Sequence, residues 1–481
     1  VAGVADSNDA IDAFLYDRAD GSTALLSHAS TSTAVTANAF SIPLALSADG
    51  HWVLYYSNAS NLVTGVTDTN SSADLFVYDR VLGNSSLVSR SAISATTAVG
   101  TTSEAALSAD GRWTVFMTYS RSIQSGVADS NGSQDAYLYD RESGSMTLVT
   151  HSADSLTTTA NNFPNLRAFS PDGRWVLYHS RATNVVTGVT EGNPGEDVFV
   201  YDRLSGVSTL VSRFANSATT TANDRSYAVS ISNDGRWVLY HSSASNLIGG
   251  ATISGENAYL FDREVGVATL VTHASTPTTP ASLGVYKLLS LSADGRFVLW
   301  NTGQSVLNAV LDENFGEDAY LFDRSNGSNS LISRSASAPM RTANGESTPI
   351  SISSDGSTIL YVSDATDLLD GIADSNGNAD MFLYDRAAGV TQLVSRVGSR
   401  RRTTGNARPT AKAISADGRY VLIDSMATNI IAGQIDIVRN SNDVFLHDAV
   451  SDENILVSRS LAEATTTVGG SADGLSADGR W

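Results

Sequence analysis

The stretch Ser47–Arg80 reads SADGHWVLYYSNASNLVTGVTDTNSSADLFVYDR, and it decides the fold because it returns along the whole chain. It recurs as SADGRWTVFMTYSRSIQSGVADSNGSQDAYLYDR from Ser108 and as SPDGRWVLYHSRATNVVTGVTEGNPGEDVFVYDR from Ser170. A unit in constant register predicts one repeat domain over residues 1–481 rather than several unrelated domains. The aspartate of the S-x-D-G phrase marks each repeat, about 61 residues apart, at Asp49, Asp110, Asp172, Asp234, Asp294, Asp355, Asp417 and Asp478.

Each repeat has the pattern of short β-strands. RWVLYHS at 174–180 and DVFVYDR at 197–203 alternate in polarity and are rich in β-branched and aromatic residues. STLVSR at 208–213 and the segment before each S-x-D-G phrase complete four strands, and the Asp-Gly pair suits a tight hairpin. Four short antiparallel strands cannot bury both faces alone, so neighbouring units must stack. Radial stacking predicts an all-β protein of the β-propeller class, with four-stranded antiparallel blades.

The phrases S-x-D-G-R-W-V-L-Y, D-x-F-x-Y-D-R and L-V-S-R together resemble the WD40-like (PD40), TolB-type propeller repeat of bacterial proteins. The resemblance covers essentially the whole chain. It implies a propeller fold and a setting that is extracellular, at the cell surface or periplasmic. It does not imply one task, because this repeat serves many.

The two chain ends bear on the number of blades. The chain opens with VAGVADSNDAIDAFLYDR, which matches the third strand of a blade, and closes with LSADGRW, which matches the start of the second. If both ends share one blade, the ring has eight blades, yet the positions equivalent to 53–62 are then missing. The sequence therefore also allows seven complete blades with ragged ends, or part of a longer array. Both ends are expected to be truncated within a blade.

Charge and composition exclude several functions. The chain has 481 residues with 50 acidic and 30 basic side chains, for a net charge of −20, which disfavours nucleic acid as a partner and favours cations. It has no cysteine, so disulfides, thiolate metal sites and cysteine nucleophiles are excluded. No apolar run is long enough for a membrane helix, and we expect no membrane insertion.

The loop before the third strand carries the strongest chemical signal, a D-x-N-x-x-x-D pattern. Three oxygen side chains on one tight loop are similar to part of an EF-hand loop and predict Ca²⁺ as a possible cofactor. The pattern occurs at Asp6, Asn8 and Asp12; Asp68, Asn70 and Asp74; Asp129, Asn131 and Asp135; Glu191, Asn193 and Asp197; Asp312, Asn314 and Asp318; and Asp374, Asn376 and Asp380.

The same loops have an interpretation without an ion. Asp and Asn side chains readily form Asx-turns, and the loop lacks the bidentate glutamate that completes an EF-hand. Two repeats also break the pattern, with Ala251 and Asn257 in one and Ile437 and Arg439 in the other. The residues alone leave both interpretations open.

Other recurrent residues are expected to be structural. The Asp-Arg pair of the YDR phrase should tie a blade turn to its neighbour by charge-assisted hydrogen bonds. The histidines, such as His179 and His241, stand at variable repeat positions in different blades, which indicates repeat variants rather than metal ligands. The aromatic residue after each S-x-D-G phrase should pack blade against blade, at Trp52, Trp113, Trp175, Trp237, Phe297, Tyr420 and Trp481.

One segment departs from the repeat by its positive charge. The loop VGSRRRTTGNARPTAK at 397–412 contains Arg400, Arg401, Arg402 and Arg408 in an otherwise acidic chain. Because arginine suits bidentate contacts, this loop predicts a site for an anion or an acidic partner. A solvated loop that offsets neighbouring acidic loops is the alternative.

These features favour a secreted or periplasmic propeller that is not an enzyme and that binds a protein, a peptide or a glycan through loops on one face. No catalytic residue is assigned, since no G-x-S-x-G, H-E-x-x-H or P-loop motif occurs. The alternatives are the propeller domain of a larger hydrolase or peptidase, a divergent propeller lyase or glycosidase, and a rigid spacer in a surface protein.

Overall fold

The computed structural model describes residues 3–68, 71–100, 104–274, 276–281, 289–438, 440–460 and 463–481. None of these residues belongs to a helix that is long and apolar enough to cross a membrane. Within them, seven four-stranded antiparallel sheets follow one another along the chain. The prediction of an all-β propeller with four-stranded antiparallel blades is confirmed, and the number of blades is consistent with about eight.

We number the seven sheets as blades 1 to 7 in chain order. The strands of blades 1, 2 and 3 are Ser41–Leu46, Trp52–Ser57, Asp74–Asp79 and Asn84–Leu87; Ala105–Leu107, Trp113–Thr118, Asp135–Asp140 and Met146–Leu148; and Pro164–Phe169, Trp175–Ser180, Asp197–Asp202 and Val207–Leu210. Those of blades 4 and 5 are Ser226–Ile231, Trp237–Ser242, Asn257–Asp262 and Val267–Leu270; and Ser290–Leu291, Phe297–Thr302, Asp318–Asp323 and Ser328–Leu331. Those of blades 6 and 7 are Ser347–Ile352, Thr358–Ser363, Asp380–Asp385 and Val390–Leu393; and Pro409–Ile414, Tyr420–Ser425, Asp443–Asp448 and Glu453–Leu456.

Short strands outside the blades connect neighbouring loops. They are Thr67–Asp68, Arg90–Ser91, Ser94–Ala98, His151–Ser152, Ser155–Thr159, Ile435–Asp436 and Thr466–Thr467. A parallel bridge such as Ala128 with Thr158 joins the loop before a third strand to the connector that leaves the fourth strand. These loops and connectors therefore share one side of the ring, which we call the loop face. The S-x-D-G turns and the turns after the third strands lie on the opposite side, which we call the turn face.

The core lies between blades rather than within one. Leu177 and Val200 of blade 3 pack against Val238 and Tyr240 of blade 4, and the same kind of layer recurs at the other junctions. The second and third strands are buried on both sides, which explains their continuous run of β-branched and aromatic residues. The first strands of neighbouring blades contact one another, so they are the innermost strands and surround the central channel.

The two chain ends meet in an eighth, incomplete blade. Its hairpin consists of strands Phe14–Asp17 and Ser22–Leu25. The Arg480 guanidinium donates to both carboxylate oxygens of Asp17, at 2.9 and 2.7 Å, and the Arg18 amide donates to the Arg480 carbonyl at 2.9 Å. The C-terminal turn thereby completes the turn face of a blade whose other half is the N-terminal hairpin.

One contact repeats at the junctions between blades on the turn face. Gly111 has φ +69°, and a Cβ atom at this position would lie 2.1 Å from Cδ1 of Trp52 in the preceding blade. Above the same indole ring lies the guanidinium of Arg141, 3.5 Å from the ring centroid, whose Nε donates to the Gly111 carbonyl. We call this arrangement the glycine–aromatic–arginine lock.

The lock occurs at seven junctions in the part of the chain that the structure describes. After Trp52, it pairs Trp113 with Gly173 and Arg203, Trp175 with Gly235 and Arg263, Trp237 with Gly295 and Arg324, Phe297 with Gly356 and Arg386, Tyr420 with Gly479 and Arg18, and Trp481 with Gly50 and Arg80. The prediction that these aromatic residues pack blade against blade is confirmed.

The expectation for the YDR pair needs a correction. The aspartate does not reach the next blade; it forms a bidentate ion pair with the arginine of the D-G-R phrase in its own blade, as in Arg112 with Asp140. Only the arginine of YDR spans two blades, through the stack described above. The aspartate and the arginine of YDR are adjacent in sequence, which suggested a shared role. Successive strand residues point to opposite faces of a sheet, so the two side chains have different partners.

The junction between blades 6 and 7 lacks the lock. Thr358 stands at the aromatic position, Gly418 is retained, and Ala449 replaces the arginine. The aromatic residue and the arginine of the stack are thus absent together. This is the pattern expected if neither residue stabilises the junction without the other.

Gly111→Ala tests the packing part of the lock, and Gly206→Ala is the matched control. Gly206 has nearly the same φ, +70°, but no atom within 4 Å of the Cβ position. We expect the control to lose about 1 kcal/mol from backbone strain alone and Gly111→Ala to lose at least about 2 kcal/mol more, because Trp52 must move. Urea unfolding midpoints measure both, and equal losses would contradict the lock.

Installing the missing lock should stabilise the junction between blades 6 and 7. We expect Thr358→Trp with Ala449→Arg to raise the free energy of unfolding by about 1 kcal/mol beyond the sum of the two single changes. The four-member double-mutant cycle in urea measures this coupling energy. A coupling near zero would show that the arginine stacks contribute nothing beyond contact area.

Candidate functional site at the channel mouth

The acidic loops form compact Asx-turns. In blade 2, Oδ1 of Asp129 accepts hydrogen bonds from the backbone amides of Asn131 and Gly132, at 3.0 and 2.7 Å. Oδ1 of Asn131 accepts from the amide of Ser133 at 2.6 Å, and its Nδ2 donates to Asp135 at 3.1 Å. The loop is thus organised by the hydrogen bonds that an Asx-turn provides.

The asparagine also fastens its loop to the neighbouring connector. Nδ2 of Asn131 donates to the carbonyl of Ala160 at 2.8 Å. The same bond recurs between Asn8 and Ala37, Asn193 and Ala222, Asn314 and Ala343, and Asn376 and Gly405. Asn70, the equivalent residue of blade 1, lies outside the described residues.

This geometry bears on the calcium prediction. The asparagine turns its amide hydrogens, not its oxygen, towards the last aspartate of the loop. In the described part of the chain, no group of three or more carboxylate, imidazole or thiol side chains is placed to hold a metal ion. Calcium binding at the predicted residues stays a prediction.

The last aspartate of the predicted loop is buried at Asp74, Asp135, Asp197, Asp318 and Asp380 and half-buried at Asp12. Burial raises the pKa of Asp135, Asp197, Asp318 and Asp380 to about 7. It also raises the pKa of Asp12. Blade 4 has Asn257 at this position, whose Oδ1 accepts from Thr272 at 3.0 Å. A neutral side chain therefore fits the same place.

The repeat is broken on the loop face at one strand position. The fifth residue of the second strand varies between blades: it is Tyr56, Met117, His179, His241, Asn301, Val362 and Asp424 in blades 1 to 7. It changes from apolar in blades 2 and 6 to imidazole in blades 3 and 4. In a pseudo-symmetric ring, binding of one ligand requires such unlike residues.

Three rings meet where blades 3 and 4 join. Tyr227 stacks on His241 with ring centroids 5.1 Å apart, and it lies edge-to-face with His179 at 5.3 Å. Tyr227 is the second residue of an innermost strand that starts on the loop face, so this group lies at the mouth of the channel. With Glu196 and Glu256, we call these residues the channel-mouth cluster.

The carboxylates around the cluster have partners. Glu196 accepts from Arg181 at 2.8 Å, and Glu256 accepts from Nδ1 of His241 at 2.7 Å. In blade 5, Glu317 accepts from the amide of Asn301. Burial, with the nearby charges of Arg167 and His241, lowers the pKa of His179 to about 4, so this imidazole is neutral at pH 7.

Two buried polar atoms in this region have no hydrogen-bond partner in the described part of the structure. They are Nδ1 of His179 and Oδ1 of Asn301, whose residues are 3% and 0% exposed. Buried polar groups in proteins are almost always satisfied.

A β-bulge shapes the wall of the channel. In each six-residue first strand, of blades 1, 3, 4, 6 and 7, the fourth residue has no partner in the second strand. Bulges of this kind re-aim a side chain. The re-aimed residues are Leu44, Arg167, Val229, Ile350 and Lys412.

Two of the histidines that the sequence presents as repeat variants share an aromatic neighbour. His179 and His241 are 62 residues apart and in different blades, but neighbouring blades bring them to the same tyrosine. The signal was present in the sequence: both histidines occupy one repeat phase in consecutive repeats. His28 and His151 join neighbouring blades. In each of them, one ring nitrogen contacts a backbone carbonyl of the following residue and the other contacts a carbonyl of the next blade.

The arginine-rich loop is partly neutralised. Arg401 forms an ion pair with Asp452 at 2.8 Å, and the Arg402 guanidinium donates to the Asp370 carbonyl. Arg400 and Arg408 are exposed. Nothing in the structure brings the four arginines to one point, and anion or partner binding by this loop stays a prediction.

Solved structures of propeller proteins align with this chain at low sequence identity. No protein-family model and no curated protein matches the sequence. TolB from Acinetobacter baumannii aligns at 12% identity over 66% of this chain and 58% of that chain, with a TM-score of 0.30. A prolyl endopeptidase aligns at 10% identity over 86% and 49%, with a TM-score of 0.46, and the β-propeller domain of the Trilobed protease from Pyrococcus furiosus at 10% over 88% and 98%, with a TM-score of 0.42.

These similarities bear on the fold alone. The chain spans little more than half of the TolB structure and about half of the endopeptidase. The protein is a β-propeller, and its structural neighbours include propellers of the TolB type.

Asp318→Asn should change how stability depends on pH. The pKa of Asp318 is raised from 3.8 to about 7. Its contribution to the free energy of unfolding is therefore fully present below pH 3.8 and is lost as the pH rises through about 7. We expect the variant to be more stable than the wild type at pH 8, with a smaller difference at pH 4, in urea unfolding. Asn257→Asp should destabilise at pH 8; a difference for Asp318→Asn that is independent of pH would contradict this account.

Calcium binding is tested by thermal unfolding after treatment with EDTA. If the acidic loops bind Ca²⁺, the midpoint rises as Ca²⁺ is added, with half of the effect at about 10⁻⁴ to 10⁻³ M, as for extracellular calcium modules. Mg²⁺ is the control ion. A midpoint that Ca²⁺ leaves unchanged would leave the loops as Asx-turns.

Proposed function

We propose that the protein is a binding propeller, not an enzyme, and that it takes a glycan chain at the channel-mouth cluster. The observation that carries this proposal is the break in the repeat, which places Tyr227 between His179 and His241 at the mouth of the channel. Seven locks keep the turn face nearly symmetric, whereas this part of the loop face is asymmetric. Asymmetry is what a single ligand requires.

Among the protein, peptide and glycan ligands that the sequence allows, the local chemistry favours a glycan. Glu196 and Glu256 are already paired with neighbouring side chains, so they do not attract a cationic peptide. The cluster combines an aromatic ring with closely spaced donors and acceptors, which suits a polyhydroxylated ligand with one apolar face.

The proposal includes the setting that the repeat family implies, which is outside the cytoplasm, in the periplasm or at the cell surface. Glycan chains are abundant there. Fractionation of cells that express the full reading frame tests this part of the proposal, and a cytoplasmic location would contradict it.

Tyr227→Ala tests the site, and Thr348→Ala is the matched control at the same strand position of blade 6. Glycan-array screening of the wild type should find a ligand, and titration calorimetry should show that Tyr227→Ala weakens binding about tenfold or more. Thr348→Ala should bind as the wild type does. A protein that captures no glycan, or equal effects of the two variants, would overturn the proposal.

A second candidate function rests on one observation. Glu256 lies 2.7 Å from Nδ1 of His241, an arrangement that orients an imidazole for proton transfer in lyases and hydrolases. If the protein were such an enzyme, the captured glycan would be cleaved, and Glu256→Gln would abolish cleavage while keeping binding. The binding proposal predicts that the glycan is recovered at its original length.

A further inference from the structure

Two arginines near the channel mouth take part in neither of the two arrangements that hold most other arginines in the described part of the chain. Most arginines of this chain lie in locks or in ion pairs within a blade, as Arg141 and Arg112 do. Arg167 and Arg225 belong to neither group, since neither forms an ion pair with any residue that the structure describes. Both are exposed.

Arg167 is the bulged residue of the innermost strand of blade 3. The register shifts between Leu166 and Ala168, which leaves Arg167 without a partner on the second strand. A bulge on the inner edge of a sheet turns a side chain away from its regular direction. Asn165, two residues before Arg167 on the same strand, pairs with His179 on the second strand, so Arg167 belongs to the surroundings of the channel-mouth cluster.

Arg225 approaches the same cluster from blade 4. It directly precedes the innermost strand, and its guanidinium lies 5.9 Å from the centroid of the Tyr227 ring. Its side chain also rests against the loop of blade 3, because a Cβ atom on Gly195 would lie 2.7 Å from Cβ of Arg225. The two arginines therefore flank the cluster from two adjacent blades.

The surroundings of the cluster are less acidic than the rest of the chain. Arg167, Arg181 and Arg225 stand against three carboxylates: Glu196 is paired with Arg181, Glu256 is paired with His241, and Asp224 accepts a hydrogen bond from the backbone amide of Arg225 at 2.8 Å. The chain as a whole has a net charge of −20. The other cation at a bulge position, Lys412, lies 3.2 Å from Asp424 and is neutralised.

We propose that Arg167 and Arg225 bind the acidic groups of the glycan, so that the ligand is an anionic polysaccharide with carboxylate or sulfate groups. This inference rests on the proposed function and names the class of glycan. Guanidinium groups form bidentate, charge-assisted hydrogen bonds with carboxylate and sulfate oxygens. The Tyr227 ring beside Arg225 then contacts the sugar to which the acidic group is attached.

The experiment compares four probes on the wild-type chain by fluorescence anisotropy. Labelled oligosaccharides of hyaluronan carry carboxylates, those of heparin carry sulfates as well, dextran is a neutral glycan, and polyglutamate is an acidic peptide. We expect hyaluronan or heparin to bind, more weakly as the salt concentration rises, and dextran and polyglutamate to bind at least about tenfold more weakly. The better of the two acidic glycans identifies the acidic group.

Arg225→Gln and Arg167→Gln test the two contacts, and Arg341→Gln is the matched control. Arg341 also lies on the loop face, where it bridges to Leu311, but its guanidinium is paired with Glu313 at 3.0 Å. We expect each of the first two changes to weaken binding of the acidic glycan about tenfold or more. We expect the control to leave it unchanged. Circular dichroism and the unfolding midpoint confirm that each variant is folded.

The outcomes separate the two proposals. If dextran binds as well as the acidic glycans, the proposed function stands and the anionic class is wrong. If polyglutamate binds best, both the glycan and its class are wrong, and the ligand is an acidic peptide. If Arg341→Gln weakens binding as much as Arg225→Gln does, the attraction is diffuse and the assignment to this cluster is overturned.

Discussion

The close approach of an aromatic ring to a glycine of the next blade is the constraint on which the ring depends. At Gly111 the space for a Cβ atom is occupied by Trp52, and Arg141 covers the other side of the same indole. The glycine permits both the positive φ of the turn and the contact, so one residue type meets two requirements at once. Repeating this contact around the turn face fixes the distance between blades, and the apolar layers between blades are buried as a consequence.

The same constraint explains why the repeat phrase varies so little. Asp, Gly, the aromatic residue and the two arginines each have a partner in their own blade or the next one. The junction of blades 6 and 7 shows the converse, since Thr358 and Ala449 depart together. On the loop face the repeated contacts join each acidic loop to its connector, whereas the fifth residue of the second strand varies between blades, and the channel-mouth cluster lies there.

Much of the fold could be predicted from the sequence, because the strands, the hairpins and the stacking aromatic residues all repeat in one phase. The partners of Asp140 and Arg141 could not, because adjacent strand residues point to opposite faces and the choice between two blades is set in three dimensions. The site could be predicted only in part. The acidic loops were found by their pattern, whereas the meeting of His179, Tyr227 and His241 depends on the packing of two blades against each other.

The channel mouth exists only because the ring is closed. A distance measurement between the chain ends tests this closure most directly. The chain has no cysteine, so spin labels can be attached at Asp20→Cys and Ala477→Cys without background. Asp20 belongs to the N-terminal hairpin turn and Ala477 to the C-terminal turn, which the Arg480 and Asp17 ion pair holds together. Double electron–electron resonance should give one short, narrow distance distribution. A broad distribution at long distances would show that the ends do not meet and would contradict the closed ring.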